Sequence, residues 1–259
     1  MKKKIREEIE QFIAHYQERC QSATRWRKPL IGFASVGDPL FKQLKSAVSA
    51  SHSLPKDLLP EARTVIAFFV PFEKFVARSN ISGVLASLGW AQAYIETNAL
   101  IDAIGEHMRT YLNSRGYAVA VTPPTHNFDK EMLMSGWSHR HVAFVAGLGN
   151  FGLNNMLITE SGCCGRMGSF LTSLDVPPDR RMKAETCLYR YDASCSRCVE
   201  RCVHGALHKD HFDRNRCYDM CLRNEEFFRE TGKADVCGKC LVGVPCSFIN
   251  PVKKKNKKH

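Results

Sequence analysis

Apolar residues recur at helical spacing through residues 3–20, where Ile5, Ile9, Phe12, Ile13 and Tyr16 are separated by Lys, Arg and Glu. That pattern predicts an amphipathic helix with one buried stripe. A shorter apolar run at residues 30–34 is followed by Gly37, Asp38 and Pro39. Residues 64–70, Thr-Val-Ile-Ala-Phe-Phe-Val, are apolar without alternation and end at Pro71. A continuous run of strand length predicts a strand covered on both faces. Residues 86–114 predict a long helix carried by Tyr94, Ile101, Ile104, Met108 and Tyr111, with Thr97 and Asn98 interrupting the stripe and Gly116 as the stop signal. Residues 117–121 alternate as a strand. After Pro123 and Pro124 a helix is expected around residues 129–135, then strands at 141–146 and 156–159. Strands mixed with long helices over the first 180 residues predict a layered α/β domain.

Past Pro177 and Pro178 the texture changes. Cysteines arrive every few residues, large aliphatics thin out, and no long periodic stretch is visible. A segment of about 70 residues so poor in core formers needs metal to hold it. The expected organisation is therefore an α/β domain at 1–180, a cysteine-rich domain at 181–250 and a basic tail at 251–259.

Composition adds two facts. The chain has 259 residues, 44% hydrophobic and 24% charged, which argues against disorder or a fibrous fold. Its net charge of +11 is concentrated at the ends: Lys2, Lys3, Lys4, Lys253, Lys254, Lys255, Lys257 and Lys258 leave only about +3 for the body. The tails are expected to be solvated ends, with nucleic-acid binding as the less favoured alternative. Twelve cysteines are present, nine of them between Cys187 and Cys246. No apolar h-region follows the basic N-terminus, and the most apolar stretch is too short to span a bilayer, so a cytoplasmic protein without a membrane partner is expected. In that compartment thiols stay reduced, and clustered cysteines bind metal rather than form disulfides.

The cysteine spacing sharpens this. Cys195-Ser-Arg-Cys198-Val-Glu-Arg-Cys202 is C-x2-C-x3-C, and Cys237-Gly-Lys-Cys240 precedes Cys246 as C-x2-C-x5-C. The bacterial two-cluster ferredoxin run is C-x2-C-x2-C-x3-C-P, with its fourth cysteine on the other cluster. Asp192 stands where the first cysteine of that run would be, and Cys187 lies five residues upstream. Crossed ligation gives one [4Fe–4S] cluster on Cys195, Cys198 and Cys246, with Cys187 or Asp192 as fourth ligand. The other takes Cys202, Cys217, Cys237 and Cys240, leaving Cys221 as a spare or alternative. A zinc ribbon is the rival, but its C-x-x-C pairs lie closer together than these.

Gly147-Leu148-Gly149-Asn150-Phe151-Gly152 fits G-x-G-x-x-G, yet it sits past mid-chain and the following residues read as turn plus strand rather than helix. What survives is close approach of the backbone to a ligand or a neighbouring strand. Cys163 and Cys164 read as small residues of a tight loop. His139 and His141 flank Arg140 just before the glycines and are candidate ligand or anion contacts. Asn98, on the long helix, is a weaker one.

Taken in order, residues 59–66, residues 146–158, Gly168-Ser-Phe-Leu-Thr172 and the cysteine block resemble the epoxyqueuosine reductase family and its relatives, the corrinoid-dependent reductive dehalogenases. The resemblance implies a nitroreductase-like α/β domain that binds cobalamin, and a ferredoxin-like domain with two [4Fe–4S] clusters. It also implies a low-potential donor such as ferredoxin or flavodoxin, and a small-molecule or modified-nucleoside substrate. By the same carry-over, Gly147, Leu148, Gly149, Asn150, Phe151, Gly152 and Asn154 would line the corrinoid site. The family's acidic proton donor has no counterpart at the matching position, which falls near Leu133; Asp129 and Glu131 are the nearby substitutes. The family's C-terminal helical-repeat extension is also missing from the sequence. The expectation is a short relative with the same cofactor chemistry and another target. A non-enzymatic electron carrier or corrinoid-handling protein, and a zinc-stabilised nucleic-acid-binding module, are the alternatives.

Overall fold

The computed structural model describes residues 1–124 and 128–256. In chain order the elements are α1 (Lys2–Arg19), β1 (Leu30–Ser35), α2 (Leu40–Ala47), α3 (Pro55–Leu58), β2 (Thr64–Pro71), α4 (Lys74–Ser79), α5 (Leu88–Asn113) and β3 (Val119–Val121). There follow β4 (Phe128–Asp129), β5 (Met134–Ser135), α6 (His139–Val145), β6 (Gly149–Phe151), β7 (Leu157–Thr159) and β8 (Gly165–Thr172). The cysteine-rich segment adds α7 (Leu188–Asp192), α8 (Arg197–Glu200), α9 (Arg214–Phe227), a 3₁₀ turn (Lys239–Leu241) and α10 (Pro251–Asn256).

The main sheet runs β1-β2-β8-β3 and is antiparallel throughout. Every residue of β2 is buried, as its unbroken apolarity predicts. Period-two alternation sends Ile66, Phe68 and Val70 to a core shared with α1 and α5. Val65, Ala67 and Phe69 go to the opposite core, shared with α2 and α6. The sheet is thus the middle of three layers, which is why its central strand shows no polar face.

Three sequence expectations fail here. Residues 141–146 belong to helix α6, which presents Val142, Ala143 and Val145 to the core; a short apolar run does not by itself distinguish strand from helix. Residues 129–135 form the β4–β5 hairpin rather than a helix. There the Asp129 carboxylate accepts from Glu131 N and Met132 N, and Leu133 sits at φ 51, a left-handed conformation no helix tolerates. The cysteine-rich segment does contain a long helix, α9. It buries only Met220 and Asn224, so it carries no apolar stripe to read.

The segment is tied to the α/β layers by buried polar contacts. Asn80 Nδ2 donates to Cys237 O, Lys239 Nζ donates to Asn80 O and Ser82 O, and Asn224 Oδ1 accepts from Ala86 N. The basic end is docked as well: Val252 is buried, Lys253 pairs with Glu160 and Lys255 with Asp192. Lys257 and Lys258 lie outside the described residues.

Candidate functional site

Of the segment's nine cysteines eight fall into two sets of four, and Cys221 lines the same cleft as the second set. Cys187, Cys195, Cys198 and Cys246 line one small pocket closed by Leu153, Ile158 and Val244. Cys187 reaches it from the N-cap of α7, and Cys198 from α8. Asp192, the rival fourth ligand, is not among the residues lining that pocket. It is engaged elsewhere: Lys255 and Ser194 hold its carboxyl down to about 2. The second set, Cys202, Cys217, Cys237 and Cys240, lines a cleft of about 790 Å³ between the sheet domain and the cysteine-rich segment. Chain order crosses between the sets, since Cys202 and Cys246 each join the group their neighbours in sequence do not.

Burial and neighbouring thiols push Cys198 up to about 12, and the same causes raise Cys240. Such crowded thiols are stable together as thiolates only around a cationic core. The two sets adjoin, because Cys198, Leu207 and Val244 form one apolar cluster against Cys202, Cys240 and Cys246. Two further thiols stand beside ligand candidates. The Cys221 thiol donates toward Cys217, holding Cys217 below and itself above the ordinary thiol range. Cys163 Sγ lies 4.0 Å from Cys246 Sγ. Cys163 and Cys164 are buried in the bend that leads into β8.

A smaller cavity of about 380 Å³ opens beside the cleft and shares Leu133, Arg140, His141, Met156, Arg166 and Arg214 with it. Arg166 lies over the Tyr94 ring at 4.1 Å, and Tyr94 Oη donates to Asp235 Oδ1 at 2.5 Å. Burial lowers the Arg166 guanidinium from its ordinary range. Arg140 is solvent-accessible through the cleft yet lies deep among protein atoms; desolvation lowers it too, with Arg214 and Arg166 adding repulsion.

The residues singled out from sequence fall in different places. Phe151, Asn154 and His141 line the cleft. Gly147, Leu148, Gly149, Asn150 and Gly152 are not among the residues lining the cleft or the smaller cavity. The glycines serve the chain itself: a side chain at Gly149 would meet Ile158 and Thr159 of the paired strand, and one at Gly147 would meet Arg180. Asn98 keeps a buried, unpartnered Oδ1 and lines neither cavity. Asp129 and Glu131 are exposed on the hairpin and face neither cavity, whereas Leu133 lines both. Arg166, Arg214, Tyr94 and Asp235 escaped the sequence reading because they lie far apart in the chain. Arg140 had a local signal, its place between two histidines.

His139 borders the smaller cavity but is committed to the scaffold. Trp137 Nε1 donates to Ser169 Oγ, Ser169 Oγ bonds His139 Nδ1 at 2.9 Å, and His139 Nε2 donates to Pro123 O. Desolvation lowers its pKa from 6.5 to about 4, so the folded protein holds it neutral. The unfolded chain takes up the proton first, so this group makes stability fall as pH drops from 6.5 toward 4, by roughly 3 kcal/mol in all. Urea midpoints at pH 7 and pH 5 check this: H139Q is expected to show a shallower acid loss than the parent, and equal slopes would contradict it.

No protein-family model matches the chain, and no curated protein sequence matches it. Solved structures do. Epoxyqueuosine reductase from Streptococcus thermophilus superposes with a TM-score of 0.54 at 18% identity, over 91% of this chain and 65% of that one. An epoxyqueuosine reductase with an epoxyqueuosine-modified tRNA-Tyr stem loop gives 0.53 at 18%, over 91% and 62%. A catabolic reductive dehalogenase in complex with 3-bromo-4-hydroxybenzoic acid gives 0.61 at 16%, over 88% and 31%. The chain spans a little under two thirds of the epoxyqueuosine reductases it matches. No helix among the described residues is long and apolar enough to cross a membrane. The α/β layers and the cysteine-rich segment together have the fold of epoxyqueuosine reductases and reductive dehalogenases.

Proposed function

We propose that the protein is an iron–sulfur reductase in which two [4Fe–4S] clusters serve a corrinoid held in the cleft. The carrying observation is that four cysteines line their own pocket and five, Cys221 among them, line the cleft wall, with chain order crossing between the two groups. Crossing of this kind is what two-cluster ferredoxin ligation requires. Cys187, Cys195, Cys198 and Cys246 would hold one cluster, and Cys202, Cys217, Cys237 and Cys240 the other.

The cleft also suits a large amide-rimmed cofactor. Trp90 Nε1, Asn154 Nδ2 and Arg166 Nε are buried donors without partners, and all three residues line it. A bound corrinoid would supply low-valent cobalt for the reduction. The chain's part is to exclude water with Phe72, Trp90 and Leu241 and to hold protons nearby. Protonatable groups on the wall are Tyr94, bonded to Asp235, together with Tyr218 and His141, the last kept neutral near a pKa of about 4. Leu133 offers no proton, which weighs against the epoxide chemistry of the longer reductases. It also gives a second reading some support: a corrinoid-handling or electron-carrying protein without turnover.

Protein purified without oxygen is expected to be brown, to absorb broadly near ~400 nm and to hold about eight irons per chain. Added cobalamin should give a cobalt EPR spectrum lacking axial nitrogen coupling. A colourless protein with stoichiometric zinc overturns the proposal, and iron without any cobalt signal reduces it to an electron carrier. Reduction by ferredoxin or flavodoxin identifies the donor class.

A further inference from the structure

The smaller cavity has a chemistry that electron delivery does not explain. Three guanidinium groups, from Arg140, Arg166 and Arg214, reach it, and among the described residues no carboxylate lines it. Their protein partners are few. Arg140 donates to Asn155 O and Met156 Sδ, and Arg214 donates to Met132 O at 3.3 Å. Arg166 stacks on Tyr94 and keeps a buried Nε with no acceptor. Its nearby carboxylate, Asp235, lines only the larger cleft and already accepts from Tyr94. Three positive charges gathered on one recess repel one another, and an anion among them relieves that repulsion.

Phe69, Leu133, Trp137 and Met167 give the same wall an apolar side, next to Ser135, Ser138, His139 and His141. At about 380 Å³ the cavity is of small-molecule size. We infer that this cavity is the substrate site, and that it takes a small organic anion whose carboxylate or phosphate lies among Arg140, Arg166 and Arg214 while an apolar or aromatic body packs on Trp137 and Leu133. The inference rests on the cleft beside it being the cofactor site, because the two spaces share Arg140, His141, Met156 and Arg166. Guanidinium suits the task because its N–H fork matches a carboxylate or phosphate in two bonds.

Calorimetric titration of the anaerobic holoprotein with benzoate, and with benzamide as its uncharged counterpart, tests this directly. Benzoate is expected to bind roughly tenfold or more tightly than benzamide, the worth of one charge-assisted pair. Arg166→Gln and, separately, Arg214→Gln should each weaken benzoate by about the same factor and leave benzamide unchanged. Arg214 is exposed at the cavity mouth, so its variant stays informative even where Arg166→Gln fails to fold. Iron and cobalt are measured on the same samples, so a protein with full cofactors and no preference for benzoate overturns the inference alone. Benzoate binding that occurs only in corrinoid-free protein also overturns it, by giving the arginines to the cofactor's own phosphate. So does binding of an RNA hairpin that the arginine variants weaken while benzoate does not bind.

Discussion

Replacing Cys198 by serine is expected to remove about half of the iron, leaving about four per chain instead of eight. Cys198 is buried in the pocket with Cys187, Cys195 and Cys246, whereas Cys202, Cys217, Cys221, Cys237 and Cys240 line the adjoining cleft. One cluster should therefore be lost while the second remains visible by EPR. The same logic decides the fourth ligand. Cys187→Ser should behave like Cys198→Ser, whereas Asp192→Asn should keep all of the iron, because Asp192 spends its carboxylate on Lys255 and Ser194. Loss of both clusters from any one of these variants would mean that the two sets do not ligate independently. The effect on stability should also be large. The segment has few apolar residues of its own, and ligand binding energy in such segments is folding energy.

Gly238→Ala is expected to lower Tm by about 10 °C and to deplete the cluster on the cleft wall. Gly238 sits between Cys237 and Cys240 at φ 69, where a side chain is strained. An added Cβ would also overlap the Trp90 indole. That ring has little freedom to yield, being 3% exposed and set edge-on against Phe72 at 5.3 Å. Strained backbone and overpacking together cost about 3 kcal/mol, which for a chain of this size corresponds to the stated shift. Gly116→Ala is the matching control. It too has positive φ, at 82, but nothing lies within 4 Å of its added Cβ, so only the smaller conformational cost of about 1 kcal/mol is expected. Calorimetric Tm and iron content read both variants; similar losses in the two would mean that contact with Trp90 is unimportant.

Much of the layered fold was legible along the chain. The unbroken run of β2 required cover on both faces, and α1 and α5 lie where the apolar stripes put them. The cysteine spacing proposed two crossed ligand sets, and it left Cys187 and Asp192 as alternatives for one place. Spacing counts residues but does not say which side chain another partner has already taken. Lys255, near the end of the chain, occupies Asp192.

Other parts were illegible for related reasons. The apolar run inside α6 is too short to show a period, and a contact distant in sequence holds its start. There Ser138 N is bonded to His52 Nε2 across 86 residues of sequence. The β4–β5 hairpin turns on one left-handed residue, Leu133, whose side chain gives no sign of it. The glycine motif kept its meaning of close approach but not its partner, since Gly149 makes room for the neighbouring strand.

By itself the sequence determined that thiols crowd into one segment at ligand-like spacing, because residue type and spacing are local properties of a chain. It also determined which strand had to be central, because burial on both faces demands apolarity at every position. Only the tertiary structure decided what the space beside the proposed clusters can hold. Arg140, Arg166 and Arg214 come from a helix, a strand and the first turn of another helix, and Leu133 comes from a hairpin. Each is unremarkable where it stands in the sequence. Their charges and apolar surface act on one ligand only after folding brings them within a few ångströms, where low dielectric makes their joint field strong.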